Sequence, residues 1–304
     1  MASRWRVSLF LMDEDNDYQS ALRQECQQVG ARHRMQVAVV GAQNRSATQV
    51  EQIRNAISAA QEARPNVILV SPVSEVALLS LAHSAAREGI AWVFLNRWHD
   101  SIHDLRRQYS TVPIFAVTAD QEQVGAVQGK QLQRLLHAGD ELLYIQGPLG
   151  TSSVKARLKG LKAELAESTV QITTFHSDWT VSGGKSVTTQ WLTMLPRAQL
   201  PGLVVAAQND RMAEGAREAI VEWSSGRGGR IENVDILGCD GSPSYGQRLV
   251  SSGKLTATVF IPPVTGRALE AIVRCGIGAT TSCAALTVPV QAFPSVELMR
   301  SLRT

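Results

Sequence analysis

The stretch VVAAQNDRMAEGAREAI, residues 204–220, decides the fold class. It opens as an apolar run, ends in the short polar side chains of Asn209 and Asp210, and continues with apolar residues at helical spacing. A strand that hands over to a helix at a polar tip is the repeating unit of an open parallel α/β sheet. Ligands of such sheets gather at the carboxyl ends of the strands. VDILGCDGSP (234–243) repeats the pattern with Asp240 at its tip, and GKLTATVFIPPVTG (253–266) carries a strand-like run, 255–261, stopped by Pro262 and Pro263.

Working outward, strand and helix patterns alternate along the chain. Strands are expected at 5–12, 37–40, 67–70 and 90–95, with amphipathic helices at 18–33, 48–62 and 75–88 between them. A second series has helices at 121–137, 152–167, 184–195 and 211–224, and strands at 141–145, 170–175, 203–207 and 234–237. Two such series predict two doubly wound parallel-sheet lobes with right-handed crossovers. The segments 225–230 and 276–285 read as surface loops.

The 304 residues are 44% hydrophobic with a formal net charge of +3, an ordinary globular composition long enough for two cores. The basic residues are dispersed, which argues against nucleic acid as a partner. No apolar stretch approaches the roughly 18 residues of a membrane span. Only Met1 to Arg4 precede the first strand, with no export signal in series, so the expectation is either a cytoplasmic protein or a mature form with a replaced start. Cys26, Cys239, Cys275 and Cys283 form no CxxC pair. Cys275 and Cys283 can close a local disulfide, but free, partly buried thiols are the expected state.

Several decoys fall away. Asp13, Asp15 and Asp17 have calcium-loop spacing, but the turn glycine is missing and Gln24 stands where a bidentate acid is needed. Gly184-Lys185-Ser186 ends like a P-loop whose leading glycine would be Trp179. His99 and His103 lack a catalytic glutamate and a third ligand. No nucleophile–base couple stands out, so neither catalysis, a metal nor a cofactor is expected.

The ordered set of motifs resembles the type I periplasmic sugar-binding proteins, the ribose- and galactose-binding group related to the ligand domains of LacI-type repressors. The resemblance runs over nearly the whole chain: Gln49-x-x-Gln52-Ile53, residues 67–97 (VILVSPVSEVALLSLAHSAAREGIAWVFLNR), 117–132 (VTADQEQVGAVQGKQL), 142–161 (LLYIQGPLGTSSVKARLKGL), Asp178-Trp179, AQNDRMAEGA, LGCDGSP and GKLTATV. It implies an N-terminal lobe of 1–119 plus 262–290 and a C-terminal lobe of 120–261 plus 291–304. Three crossovers would join them as a hinge that closes on a ligand. It also implies a sugar or sugar-like ligand, an ABC transporter permease or receptor as partner, a periplasmic location and a monomer. The rival reading is a cytoplasmic ligand sensor without a DNA-binding domain, because no helix-turn-helix precedes the first strand.

The resemblance also assigns a site. Asn16, Tyr18 and Gln19 match a polar contact and a pair of aromatic stackers, with Gln19 replacing the second ring. Asn96 and Arg97 match a pair that contacts sugar hydroxyls. Lys155 matches a clamp that is usually arginine, and Arg157 a second basic residue with a structural role. Trp179 matches a ring that stacks on the sugar, and Asn209 and Asp240 match ligand contacts at strand tips. Asp210 reads as the cap of the helix beginning near Arg211. Trp98 either lines the ligand cleft or caps a loop. The family's Gln or Asn after Thr258-Val259-Phe260 is replaced here by Ile261, in a segment one residue short, which removes a carboxamide from the expected pocket.

Overall fold

The computed structural model describes residues 5–14, 16–97, 100–195, 202–227, 234–276 and 285–299. The chain divides into two compact units, Met1–Ala119 with Pro263–Val288 and Asp120–Pro262 with Pro289–Thr304. It therefore passes from one unit to the other three times, at 119/120, 262/263 and 288/289.

The first unit is built on β1 (Arg6–Leu11), β2 (Gln36–Gly41), β3 (Val67–Val70), β4 (Ala91–Leu95) and β5 (Ile114–Ala119), alternating with α1 (Asp17–Arg32), α2 (Ser46–Ser58), α3 (Glu75–Arg87) and α4 (Ser101–Gln108). The runs VILV of β3 and AWVFL of β4 are buried at every position. That is the signature of parallel strands covered on both faces. Phe10, Ile68, Val70, Trp92 and Phe94 pack on one face against Ile53 of α2 and Leu78 and Leu81 of α3.

The second unit repeats the plan with α5 (Gln121–Gln133), β6 (Glu141–Gln146), α6 (Ser152–Glu164), β7 (Gln171–His176), α7 (Val181–Met194), β8 (Leu203–Ala207), α8 (Asp210–Arg227), β9 (Asp235–Asp240), α9 (Gly246–Ser251) and β10 (Ala257–Phe260). Its core lies in two layers. Leu143, Ile145, Val205 and Ile236 meet α7 and α8 through Trp191 and Met212, while Leu142, Tyr144, Val204 and Leu237 meet α5 and α6 through Leu132 and Leu161.

The chain then returns to the first unit through α10 (Thr265–Cys275) and β11 (Leu286–Val288), and to the second through β12 (Gln291–Phe293). The sheet orders are β11-β5-β4-β3-β1-β2 and β12-β10-β9-β8-β6-β7. Every described pairing is parallel except β10 with β12. Parallel pairing puts the carboxyl ends of the parallel strands of each sheet on one edge, so each unit has a polar rim of strand tips.

These two parallel-sheet units are the architecture expected from the alternation. Three local expectations are corrected. The loop expected at 225–230 begins later, because α8 runs on to Arg227; residues 228–230 lie outside the described residues. The element after Arg97 is a helix, α4, followed by β5, and neither was read from the sequence. Cys275, expected as a free thiol, is disulfide-bonded, whereas Cys26 and Cys239 are free and buried. Cys283 and most of the 276–285 segment lie outside the described residues, as do Asp15, Trp98 and His99.

Candidate functional site

In the first unit the tips of β1 and β4 carry the candidates. Asn16 is the N-cap of α1, and its Oδ1 accepts from the backbone N–H groups of Tyr18 (3.0 Å) and Gln19 (3.1 Å). That leaves its Nδ2 as the end free of capping. Tyr18, on the first turn, is buried and donates its hydroxyl to Asn96 Oδ1 at 3.1 Å. Gln19 is tied within the unit at both ends of its amide: Oε1 accepts from Met12 N (3.2 Å) and Nε2 donates to Ser71 Oγ (3.1 Å). Its amide thus ties the end of β1 to the end of β3.

Asn96 follows β4 in the left-handed region, φ 57°, which Asn tolerates better than most residues. It is 6% exposed, and its Nδ2 has no hydrogen-bond partner among the described residues. Arg97 donates from Nη1 to Asn96 O (3.0 Å), faces Met12 Sδ with Nη2 (3.9 Å), and pairs through Nε with Glu75 Oε1 at 3.4 Å. The first unit therefore concentrates strong donors at the β4 tip.

In the second unit, Asn209 lies between β8 and α8. Its Oδ1 accepts from Met212 N (2.9 Å), and its Nδ2 donates to Trp179 O (2.9 Å). Asn209 therefore caps α8, the task expected of Asp210. Asp210 instead reaches across the strand tips. Its Oδ2 accepts from Gly241 N (2.8 Å) and its Oδ1 from Thr258 Oγ1 (2.6 Å), which fixes the ends of β9 and β10. A side chain at Gly238 would occupy the space taken by this carboxylate.

Asp240 ends β9, half-buried, with φ 90°, and its carbonyl accepts from Ile261 N at 3.0 Å. Trp179 also has a positive φ, 71°, and its ring lies where a Cβ at Gly147 would be, so glycine is required at the β6 tip. Of the six described non-glycine residues at positive φ, three are Asn96, Trp179 and Asp240. Backbone strain of this kind concentrates where function demands a particular side-chain direction.

Lys155 is exposed and its side chain makes no hydrogen bond or ion pair among the described residues. Arg157, two residues on, is 7% exposed. It donates from Nε to Gln121 Oε1 (2.8 Å) and from Nη1 to Gln208 O, and its guanidinium lies 6.0 Å from the centroid of the Trp179 ring. Its Nη2 makes no hydrogen bond among the described residues. The basic group gathered with Trp179 and Asn209 is thus Arg157.

A set of buried amides that sequence reasoning left without a role holds these tips in place. Gln49 donates to Leu11 O and Ser71 O and accepts from Val73 N. Gln208 accepts from Gly147 N and donates to Tyr144 Oη and Val154 O. Gln128 donates to Ala207 O and Gly238 O, and Gln131 to Thr258 O. All four fall inside the quoted motifs, and that was the available signal.

Burial raises the Tyr144 phenol and the Cys239 thiol and pushes the Cys26 thiol up to about 12, so all three stay neutral and unreactive. No described group of three or more His, Cys, Asp or Glu is placed to hold a metal ion. No helix among the described residues is long and apolar enough to cross a membrane. Each rim offers hydrogen-bond donors and acceptors, and the second unit's adds the Trp179 face, groups suited to a small polar molecule with C–H faces.

Known proteins share this architecture. The chain is 23% identical to a Caulobacter myo-inositol binding protein solved with myo-inositol, with a TM-score of 0.77 over 96% of this chain and 94% of that one. It is 21% identical to an ABC transporter solute-binding protein of Actinobacillus succinogenes solved with D-allose, with a TM-score of 0.79 over 95% and 97%. In sequence it is 27% identical, over 221 residues, to a Rhizobium meliloti protein named for rhizopine binding, a match covering 71% of this chain and 66% of that protein. It is 29% identical over 144 residues to the ribose import binding protein RbsB of Escherichia coli K12, covering 47% and 45%. The chain thus spans just under two thirds of the first relative and under half of the second. The sequence profile of the periplasmic binding protein domain matches residues 7–269, and the chain belongs to that family.

Proposed function

We propose that this protein captures a small polyhydroxy solute, a sugar or cyclitol, and hands it unchanged to an ABC-type importer. The observation that carries this reading is the composition of the two rims. Asn96, with a buried donor that no described residue accepts, stands beside Arg97 on one. Asn209, Asp240, Arg157 and Trp179 are fixed on the other. Carboxamide, carboxylate and guanidinium groups grade hydroxyls by donor and acceptor, and an indole face covers the C–H side of a ring.

In this reading the candidate ligand contacts on the first unit's rim are Asn16, Tyr18, Asn96 and Arg97. On the second unit's rim the candidate contacts are Trp179, Asn209, Asp240 and Arg157, and Arg157 takes the role expected of Lys155. Gln19 positions β1 and β3. Among the described residues no group at either rim is arranged as nucleophile and base, which fits a ligand that is carried rather than converted.

Relatives and structural neighbours that carry ribose, allose or myo-inositol in their names support this ligand class. The disulfide at Cys275 supports export to an oxidising compartment, the periplasm. Calorimetry against pentoses, hexoses and inositols tests the reading. Micromolar or tighter binding of at least one, weakened by Arg157→Ala and by Asn96→Asp, is the expected result. Binding by none of them, or binding that both substitutions leave intact, overturns it.

A further inference from the structure

Glu75 has no role in the site as described so far, yet it is an ion-pair partner of Arg97. It sits at the first position of α3, and its Oε1 lies 3.4 Å from Arg97 Nε, with the two side chains only 13% and 10% exposed. Arg97 also donates to Asn96 O and faces the Met12 thioether. A pair this far from bulk water is poorly screened, so the charge of Glu75 acts on whatever Arg97 meets.

Resting on the reading of Arg97 as a ligand contact, we propose that Glu75 is a positioning and specificity-determining residue. It aims the Arg97 fork and cancels its charge, so that the rim accepts neutral polyols and rejects their carboxylate relatives. An unpaired guanidinium at the β4 tip would be a carboxylate receptor, because its planar donors match two oxygens at once. Paired with Glu75 it still donates strongly to a hydroxyl or ring oxygen, while a carboxylate in the same place meets the Glu75 charge. Repulsion of the wrong ligand gives selectivity that added contacts to the right one do not. Glu75 is well placed for this because it lies beside the guanidinium on its own helix.

The test compares D-galactose with D-galacturonate, D-glucose with D-glucuronate and D-ribose with D-ribonate by calorimetry, on the wild type, Glu75→Gln, Glu75→Asp and the double variant Glu75→Gln/Arg97→Gln. Glu75→Gln is expected to raise the acid-to-neutral affinity ratio about tenfold, with the gain shrinking at high salt. Glu75→Asp retains the charge and stays near the wild-type ratio, and the double variant loses the gain. A ratio that Glu75→Gln leaves unmoved overturns the proposal, even if both affinities fall, since that is what a merely structural residue would do.

If the wild type binds none of the neutral sugars, the proposed function fails, and Glu75 is then judged with sulfate alone. Sulfate must stabilise Glu75→Gln against heat more than it stabilises the wild type or the double variant. Equal stabilisation of all three overturns the proposal.

Discussion

The two rims solve the same problem in opposite ways. In the second unit the side chains at the β8 tip are fully engaged, while Ser242 Oγ and Arg157 Nη2 have no hydrogen bond among the described residues. Asn209 uses both ends of its amide, Asp210 both carboxylate oxygens, and Gln208 its carbonyl and amino groups. At the first unit's rim Asn96 retains an amide donor without a described partner, and Arg97 turns one of its two terminal nitrogens to a thioether, a weak acceptor. The β8 tip is a finished scaffold and the β4 tip an unfinished one. The difference teaches that ligand affinity should be lost most cleanly by substitutions in the first unit, and that the same substitutions in the second should cost folding stability as well. The largest effect is expected at Asp210. Asp210→Ala strands the Gly241 N–H and the Thr258 hydroxyl in a buried setting, which should cost about 2–4 kcal/mol in urea unfolding. Asp210→Asn, which retains an acceptor for one of the two, should cost less.

Arg157 separates position from charge. Arg157→Ala should weaken ligand binding on the order of tenfold to a hundredfold, because it removes a charge-assisted donor set beside Trp179. Lys155→Ala should leave affinity within about twofold, as expected of an exposed side chain without a partner. The reverse pattern in a titration series would move the basic contact back to Lys155 and break the account of this rim. The Lys155 expectation shows where sequence reading runs short. Two basic residues two apart on a helix point in different directions, and their order in a motif does not say which one turns inward.

Strand tips were legible because a change from apolar run to short polar side chain is a local event; that is how Asn209 and Asp240 were found. The exchange of roles between Asn209 and Asp210 was not legible. Either residue makes a good cap, and the choice depends on Gly238 leaving room for a carboxylate above the neighbouring strand. The bracing by Gln49, Gln128, Gln131 and Gln208 was hidden for a related reason. Each amide bonds backbone groups far away in sequence, so no local pattern announces it. The helix α4 and strand β5 were missed because 101–112 is polar and short, and β5 follows it without a turn signature.

The comparison sharpens further if one substitution is made in both units. Asn209→Asp retains the oxygen that caps α8 but sets a carboxylate oxygen against the Trp179 carbonyl in place of a hydrogen bond, and should cost about 1–2 kcal/mol of stability. Asn96→Asp retains the oxygen that accepts from Tyr18, removes a donor that bonds to no described residue, and places the new charge beside Arg97. No hydrogen bond between described residues is lost, so its stability should fall less than that of Asn209→Asp, while ligand affinity changes by tenfold or more because a donor has become an acceptor. Equal stability losses at the two positions would erase the distinction between the finished β8 tip and the unfinished β4 tip.

The smallest effect expected concerns two anchoring carboxylates, one in each unit. Asp210 spends one oxygen on each of its partners, whereas Glu25 of α1 places both bonds on Oε2, accepting from Gly266 N (2.7 Å) and Thr265 Oγ1 (3.0 Å) at the start of α10. That helix has no side-chain cap of its own, and Glu25 supplies one from outside. Desolvation by burial raises the Glu25 pKa most, the hydrogen bonds from Gly266 and Thr265 lower it, and the Glu270 charge on α10 raises it further, so the carboxyl sits above its usual range. Because Oε1 is not needed for the cap, a proton can rest there without breaking either bond. The folded state then binds this proton more tightly than the unfolded chain, so the stabilisation is complete below the unfolded value and is lost as pH rises through the folded one. Glu25→Gln preserves an acceptor and cannot ionise. The wild type and this variant should therefore melt together near pH 4 and separate toward pH 7, the variant being higher by on the order of 2 °C. A variant that instead falls below the wild type as pH rises would mean that the ionised cap outweighs its desolvation, and that the first unit's anchor works as the second unit's does.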